Sequence, residues 1–168
     1  FNGVRFLYDA NRNMPLDGDT KFKQLKKAYA QGSELRGKTL GIIGFGRIGR
    51  EVAKIALGCG MKVVATDKFV GEATIKVDFY NGQFINVDIQ TQPMEAVLKQ
   101  ADFITLHVPA QADYVIGKKE IDMMKDGAGI INAARGGVVD EVALVEALDS
   151  KKLSFAGLDT FENEPTPA

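Results

Sequence analysis

At 168 residues, the chain is long enough for one full domain and too short for two ordinary ones, and its 45% apolar content can supply a real core. Its 21 basic and 22 acidic residues leave a formal net charge of −1, so no basic excess attracts nucleic acid and no polybasic run suits a membrane surface. Every apolar stretch is broken by glycine or a charge before it reaches membrane-spanning length, and the lone cysteine, Cys59, rules out an internal disulfide.

These features suggest a soluble protein of a reducing compartment, most simply the cytoplasm. The chain begins at Phe1 in mid-pattern, as a piece of a longer polypeptide would. FNGVRFLYDANRNM sets Phe1, Val4, Leu7 and Tyr8 on one helical face, with Pro15 as its end. The lysine-rich run LDGDTKFKQLKKAYAQGSELRG reads as loop and short surface helix. After Lys38 the character changes. TLGIIGFG is a buried strand ending in glycines, IGREVAKIALGCG an amphipathic helix stopped by Gly60, and MKVVATD a second β-branched strand. Strand, helix and strand within about 30 residues make a βαβ unit, which implies a parallel sheet.

EATIKVDFYNGQFINVDIQTQ breaks the rhythm by alternating apolar and polar residues around Asn81-Gly82. It is read as an antiparallel hairpin of residues 73–80 and 83–90 closed by a type I′ turn; one strand and an irregular loop is the other reading. Then PMEAVLKQA, KKEIDMMKDG and DEVALVEALDSKK alternate as helices with the strands DFITLHVP, AGIINAA and SFAGLDTF. At least six strands separated by helices give the α/β doubly wound, Rossmann-type arrangement.

Gly44-Phe45-Gly46-Arg47-Ile48-Gly49 matches G-x-G-x-x-G between strand and helix, and Asp67 ends the next strand. Gly44 permits the tight turn, Gly46 lets a pyrophosphate approach the backbone, and Gly49 packs helix against strand. The helix N-terminus favours the anion. The Asp67 carboxylate suits ribose hydroxyls and repels a 2′-phosphate, which favours NAD over NADP. Two alternatives stay open: a glycine turn that only packs a helix, and another ribose-bearing ligand such as S-adenosylmethionine.

Arg135 stands among small residues in Asn132-Ala133-Ala134-Arg135-Gly136-Gly137, at a strand's carboxyl end. It either grips a ligand carboxylate in two-point fashion or caps a neighbouring carbonyl or pairs with Asp140 or Glu141. Asp159 ends the last strand, placed to receive a nicotinamide amide. Glu162 and Glu164 follow, either orienting an imidazole or lying on the surface. His107, the only histidine, ends another strand. It is either a proton-transfer group or a partly buried imidazole with a local hydrogen bond. No metal ligand set is expected.

ELRGKTLGIIGFGRIGREVA, ADFITLHVPA, INAARGGVVDE and GLDTFENEP together resemble the nucleotide-binding domain of the D-isomer-specific 2-hydroxyacid dehydrogenases, with the D-3-phosphoglycerate dehydrogenase branch the nearest match. The motifs span residues 34 to 165 in the family's order. The resemblance implies an NAD-dependent oxidoreductase of serine biosynthesis. It places Gly44, Gly46, Gly49 and the backbone of Arg47 and Ile48 at the pyrophosphate, and Asp67 on the adenosine ribose. His107, Val108 and Pro109 line the cofactor pocket, with Ala133 beside it. Arg135 holds the substrate carboxylate and carbonyl, and Asp159 the nicotinamide amide. Glu164 pairs with a catalytic histidine that lies, in the family, beyond the residue matching Ala168. On this reading His107 is not the acid/base and the fragment is inactive alone. Residues 1–37 are a leading helix and linker that act as a dimer arm, and residues 38–168 are the NAD-binding domain. Expected partners are a 2-hydroxy or 2-oxo acid and a second copy, without nucleic acid or membrane. Two other readings are a glyoxylate or hydroxypyruvate reductase and an NAD-sensing corepressor-like module.

Overall fold

The computed structural model describes residues 2–164; Phe1 and Pro165 lie outside the described residues. The chain divides into two compact units, Phe1–Arg36 and Gly37–Ala168.

In the first unit, Gly3–Arg5 form a 3-10 turn and Phe6 takes a left-handed φ of 54° before helix α1, Leu7–Tyr29. Val4 and Leu7 therefore do not share the helical face that their spacing predicts. Pro15 does not end the helix either. Proline removes one N–H and orphans the carbonyl a turn earlier, but no residue of α1 is buried, so water reaches that carbonyl. The break comes at Lys21 (φ −117°, ψ 16°). There the chain doubles back far enough for the Asn13 side chain to donate to Tyr29 Oη at 2.9 Å.

In the second unit, five parallel strands lie in the order β2-β1-β5-β6-β7: β1 Thr39–Ile43, β2 Lys62–Thr66, β5 Phe103–Leu106, β6 Ala128–Asn132 and β7 Leu153–Leu158. The count is five rather than at least six, because the two remaining strands pair only with each other. β1 and β5 are buried at every residue, as parallel strands covered on both faces must be. The two faces can be assigned from β1. A methyl on Gly41 would meet Ile104, Ala101 and Val97 of helix α3 (Met94–Gln100), whereas Ile42 points at Gly49 of helix α2 (Arg47–Gly58). Successive strand residues face opposite ways, so α2 and α3 cover opposite faces. Helices α4 (Lys118–Met123) and α5 (Glu141–Asp149) continue in contact from α3 to α4 and from α4 to α5. The core is built from Ile43, Val97, Leu98, Ile104, Leu106, Ile121, Ile130, Leu144 and Leu153, all nearly fully buried.

The hairpin forms as expected, with β3 at Glu72–Asp78 and β4 at Phe84–Gln90 in antiparallel register. Its turn differs. Asn81 does not take a positive φ; only Gly82 does, at 82°. Phe79 N–H donates to Gln83 O, and Gly82 N–H to Phe79 O, which makes a three-residue loop closed by a left-handed glycine. Asn81 serves through its side chain, accepting from Gln83 N–H at 3.1 Å. Ile75 and Ile89 are buried on the inner face. A bridge from Ala65 to Thr91 ties the base of the hairpin to β2.

Candidate functional site

The five strands end level. Thr66 pairs with Ile43, Ile43 with Leu106, Leu106 with Asn132, and Asn132 with Leu158. The next residue in each case is Asp67, Gly44, His107, Ala133 and Asp159. Five of the positions singled out by sequence therefore form one row along the carboxyl edge of the sheet, where open α/β sheets take their ligands.

At the row's first end, the glycine turn is held from both sides. Gly44 N–H donates to Thr66 O at 3.0 Å, and a methyl on Gly44 would lie 2.5 Å from His107 O. Gly44 also needs glycine for its φ of 93°. A methyl on Gly49 would fall on the Gly44 carbonyl. Gly46 is different: nothing lies within 4 Å of where its side chain would be, and as N-cap of α2 it offers no side-chain cap. No side chain therefore caps the first N–H groups of α2, and Arg47 and Ile48, which open the helix, are exposed.

Asp67 reaches back into this turn. Its Oδ2 accepts from Phe45 N–H at 2.7 Å, and its Oδ1 from Phe69 and Val70 N–H at 2.8 and 3.0 Å. Burial pushes its carboxyl up, but these three N–H groups and the nearby Arg50 guanidinium outweigh it and hold the pKa below the usual value. A depressed folded-state pKa contributes stability that is full above the unfolded value of about 3.9 and is lost as pH falls through the folded value. Asp67→Asn keeps one acceptor oxygen. It should therefore melt below wild type at neutral pH, by roughly 1–2 kcal/mol after solvent screening. Calorimetric melts between about pH 3 and 8 should show that gap narrowing on the acid side. A gap that stays constant would contradict the assignment.

His107 N–H donates to Ile43 O at 2.8 Å, and its ring Nε2 lies 3.0 Å from Thr105 Oγ1. Burial lowers its pKa, so the imidazole is neutral at physiological pH. Val108 is half-buried beside it and Pro109 is exposed.

The Arg135 turn is built by Asn132, which sequence reasoning passed over. This 3% exposed side chain accepts from Ala134 N–H at 3.1 Å and donates to Arg135 O at 2.9 Å. Such a local loop is what an asparagine closing a strand before small residues signals. The Arg135 guanidinium donates to Ala134 O at 2.6 Å and, among the described residues, makes no salt bridge with Asp140 or Glu141. Asp159 is exposed and donates its N–H to Asn132 O. Glu164 is also exposed and accepts from Phe161 N–H at 2.8 Å. Among the described residues no group of histidine, cysteine and acidic side chains could hold a metal, and no helix is long and apolar enough to cross a membrane.

A parallel sheet whose first crossover starts on bare glycine backbone, with a carboxylate ending the neighbouring strand, defines a dinucleotide-binding domain. The chain belongs to the D-isomer specific 2-hydroxyacid dehydrogenase family as its NAD-binding domain, the family's sequence profile matching residues 3–168. It is 46% identical over 142 residues to the hydroxypyruvate reductase of Thermotoga maritima, covering 83% of this chain and 42% of that protein. It is 37% identical over 167 residues to the D-3-phosphoglycerate dehydrogenase of Archaeoglobus fulgidus, covering 98% and 30%. The apo D-mandelate dehydrogenase of Rhodotorula graminis superposes with a TM-score of 0.83 at 27% identity, over 99% of this chain and 48% of that one. The chain thus spans less than half the length of these proteins. The residues present fit NAD: the clear space over Gly46 and the uncapped N–H groups of α2 suit a pyrophosphate, and the Asp67 carboxylate suits a ribose.

Proposed function

We propose that this chain is the cofactor lobe of an NAD-dependent dehydrogenase acting on a D-2-hydroxy acid, with D-3-phosphoglycerate as substrate. The observation that carries this reading is the level row of strand ends, which sets the glycine turn and Asp67 at one end and the Arg135 turn and Asp159 at the other. Along it, Gly44, Gly46 and Gly49 with the Arg47 and Ile48 N–H groups take the pyrophosphate, and Asp67 the adenosine ribose. His107, Val108, Pro109 and Ala133 wall the cofactor. Asp159 receives the carboxamide of the nicotinamide, and Arg135 swings from the Ala134 carbonyl to grip the substrate carboxylate at two points. When bound, NAD supplies the hydride acceptor. Glu164 turns from Phe161 N–H to hold an imidazole contributed from outside these residues, which takes the hydroxyl proton. His107, neutral and occupied with Thr105, is left out of proton transfer.

These 168 residues alone should bind NAD and form no NADH with D-3-phosphoglycerate. Joined to the substrate lobe of a family member, they should form it, read at 340 nm. Turnover by the isolated chain at the joined chain's rate would overturn the assignment of Glu164 and the outside imidazole. A joined chain that prefers hydroxypyruvate would favour the reading its 46% identity to that reductase supports. A second copy is the proposed partner, through α1, where Tyr8, Leu16 and Phe22 are exposed apolar side chains. Sedimentation equilibrium at micromolar concentration should show a dimer, and a monomer would remove this arm.

A further inference from the structure

Three loops at the second end of the row are tied to one another by side chains that the roles above leave unused. Tyr114, on the loop after β5, donates its hydroxyl to Glu162 Oε2 at 3.1 Å. Glu162 lies after β7, and its Oε1 accepts from Glu141 N–H at 3.4 Å, where α5 begins after β6. Glu141 returns the contact, its Oε1 accepting from Glu162 N–H at 2.6 Å. The two carboxylates thus each accept a backbone N–H across the gap. Glu141 opens α5, where the helix dipole favours a negative charge. Hydrogen bonding to Glu162 leads the effects that raise the Tyr114 pKa, which keeps the phenol protonated as donor. On the other side, Asp159 N–H donates to Asn132 O, and a methyl on Gly136 would fall on the Phe161 carbonyl. The segment 159–162 is therefore clamped along its length, to the Arg135 turn at one end and to Tyr114 and Glu141 at the other. Tyr114, Gly136, Phe161 and Glu162 also line a groove of about 970 Å³, together with Lys118 and Lys119.

We propose that Tyr114, Glu162 and Glu141 form a buckle that holds the Asp159 segment in register with the Arg135 turn, making Glu162 a positioning residue for the nicotinamide end of the cofactor. This rests on the reading that Asp159 receives the nicotinamide carboxamide. Glutamate suits this place because two donors arrive on two oxygens. Glutamine keeps an acceptor oxygen for Glu141 N–H, but its amide can meet the Tyr114 hydroxyl only by donating to it, so the charge-assisted bond from the phenol is lost.

Calorimetric titration with NAD and with ADP-ribose separates the ends of the site, since ADP-ribose lacks the nicotinamide. Glu162→Gln should weaken NAD about three- to tenfold, as one charge-assisted bond gives way to a neutral one, and ADP-ribose less than about twofold. Tyr114→Phe removes a single oxygen from an exposed ring and should act in the same direction. In the double variant the two losses should not add, because both break one network. Amide exchange at Phe161 and Glu162 should quicken in all three. Equal weakening of both ligands, or of neither, would overturn the buckle, since a merely structural role moves the two together. A wild type that binds NAD no better than ADP-ribose would sink the underlying assignment of Asp159, and the buckle with it. If Glu162→Gln does not fold, Tyr114→Phe decides by the same ratio.

Discussion

Gly46→Val should leave the chain folded and cost it NAD. The position has φ −76° and ψ −158°, extended backbone that a β-branched residue adopts readily, and no atom lies within 4 Å of the new Cβ. The only loss in the ligand-free protein is at the N-cap, where valine is a poorer choice than glycine by about 1 kcal/mol. On the proposed reading, the same atoms would stand where the pyrophosphate meets the N–H groups of α2. Steric overlap of about 1–3 kcal/mol, added to weakened charge-assisted bonds of about 1.5–3 kcal/mol, corresponds to roughly a hundredfold or greater fall in affinity. Calorimetry should read that fall while the melting temperature moves by only a few degrees. Unchanged affinity would mean the phosphates do not rest there.

Gly49→Val, three residues along the same motif, should fail in the opposite way. Here a Cβ lands on the Gly44 carbonyl and comes within 3.2 Å of Ile42 Cγ2. The first obstacle is backbone and the second is a core side chain with 0% exposure, so neither yields cheaply. Helix α2 would have to lift from β1, at about 3 kcal/mol or more. The melting temperature should drop by roughly 10 °C, whether or not nucleotide is present during folding. A variant as stable as wild type would show that helix and strand do not pack through this glycine. On the proposed reading, one glycine serves the ligand; the other packs the fold.

Much of this was legible in the sequence because its causes are local. A β-branched run, a glycine turn and an amphipathic stretch each declare themselves within a dozen residues, and their repetition implies the parallel sheet. The row of strand ends follows, since each of Gly44, Asp67, His107, Ala133 and Asp159 directly succeeds an apolar run. What escaped has distant or compensating causes. Pro15 is a helix breaker only where its orphaned carbonyl is denied water, and α1 denies it none. The reversal at Lys21 has no local marker; Gly18 would have been the natural guess, yet it stays helical. Asn81-Gly82 marked the hairpin correctly, but its turn kept Asn81 out of the left-handed region by using the side chain as an acceptor. Tyr114 and Glu162 are 48 positions apart, so nothing near either one announces their bond. Asp67 was singled out for a ribose, but its hold on Phe45 N–H depends on the turn of the neighbouring strand folding over it.

The level ends of the strands also act as a ruler. Asp67 and Asp159 sit at opposite margins of the five-stranded sheet, four gaps apart. Neighbouring strands lie roughly 4.8 Å from each other, so the two acids stand on the order of 20 Å apart. No single mononucleotide reaches both, and a molecule folded back on itself touches only one. With both acids in the proposed roles, the sheet would select for an outstretched guest before any individual contact is weighed.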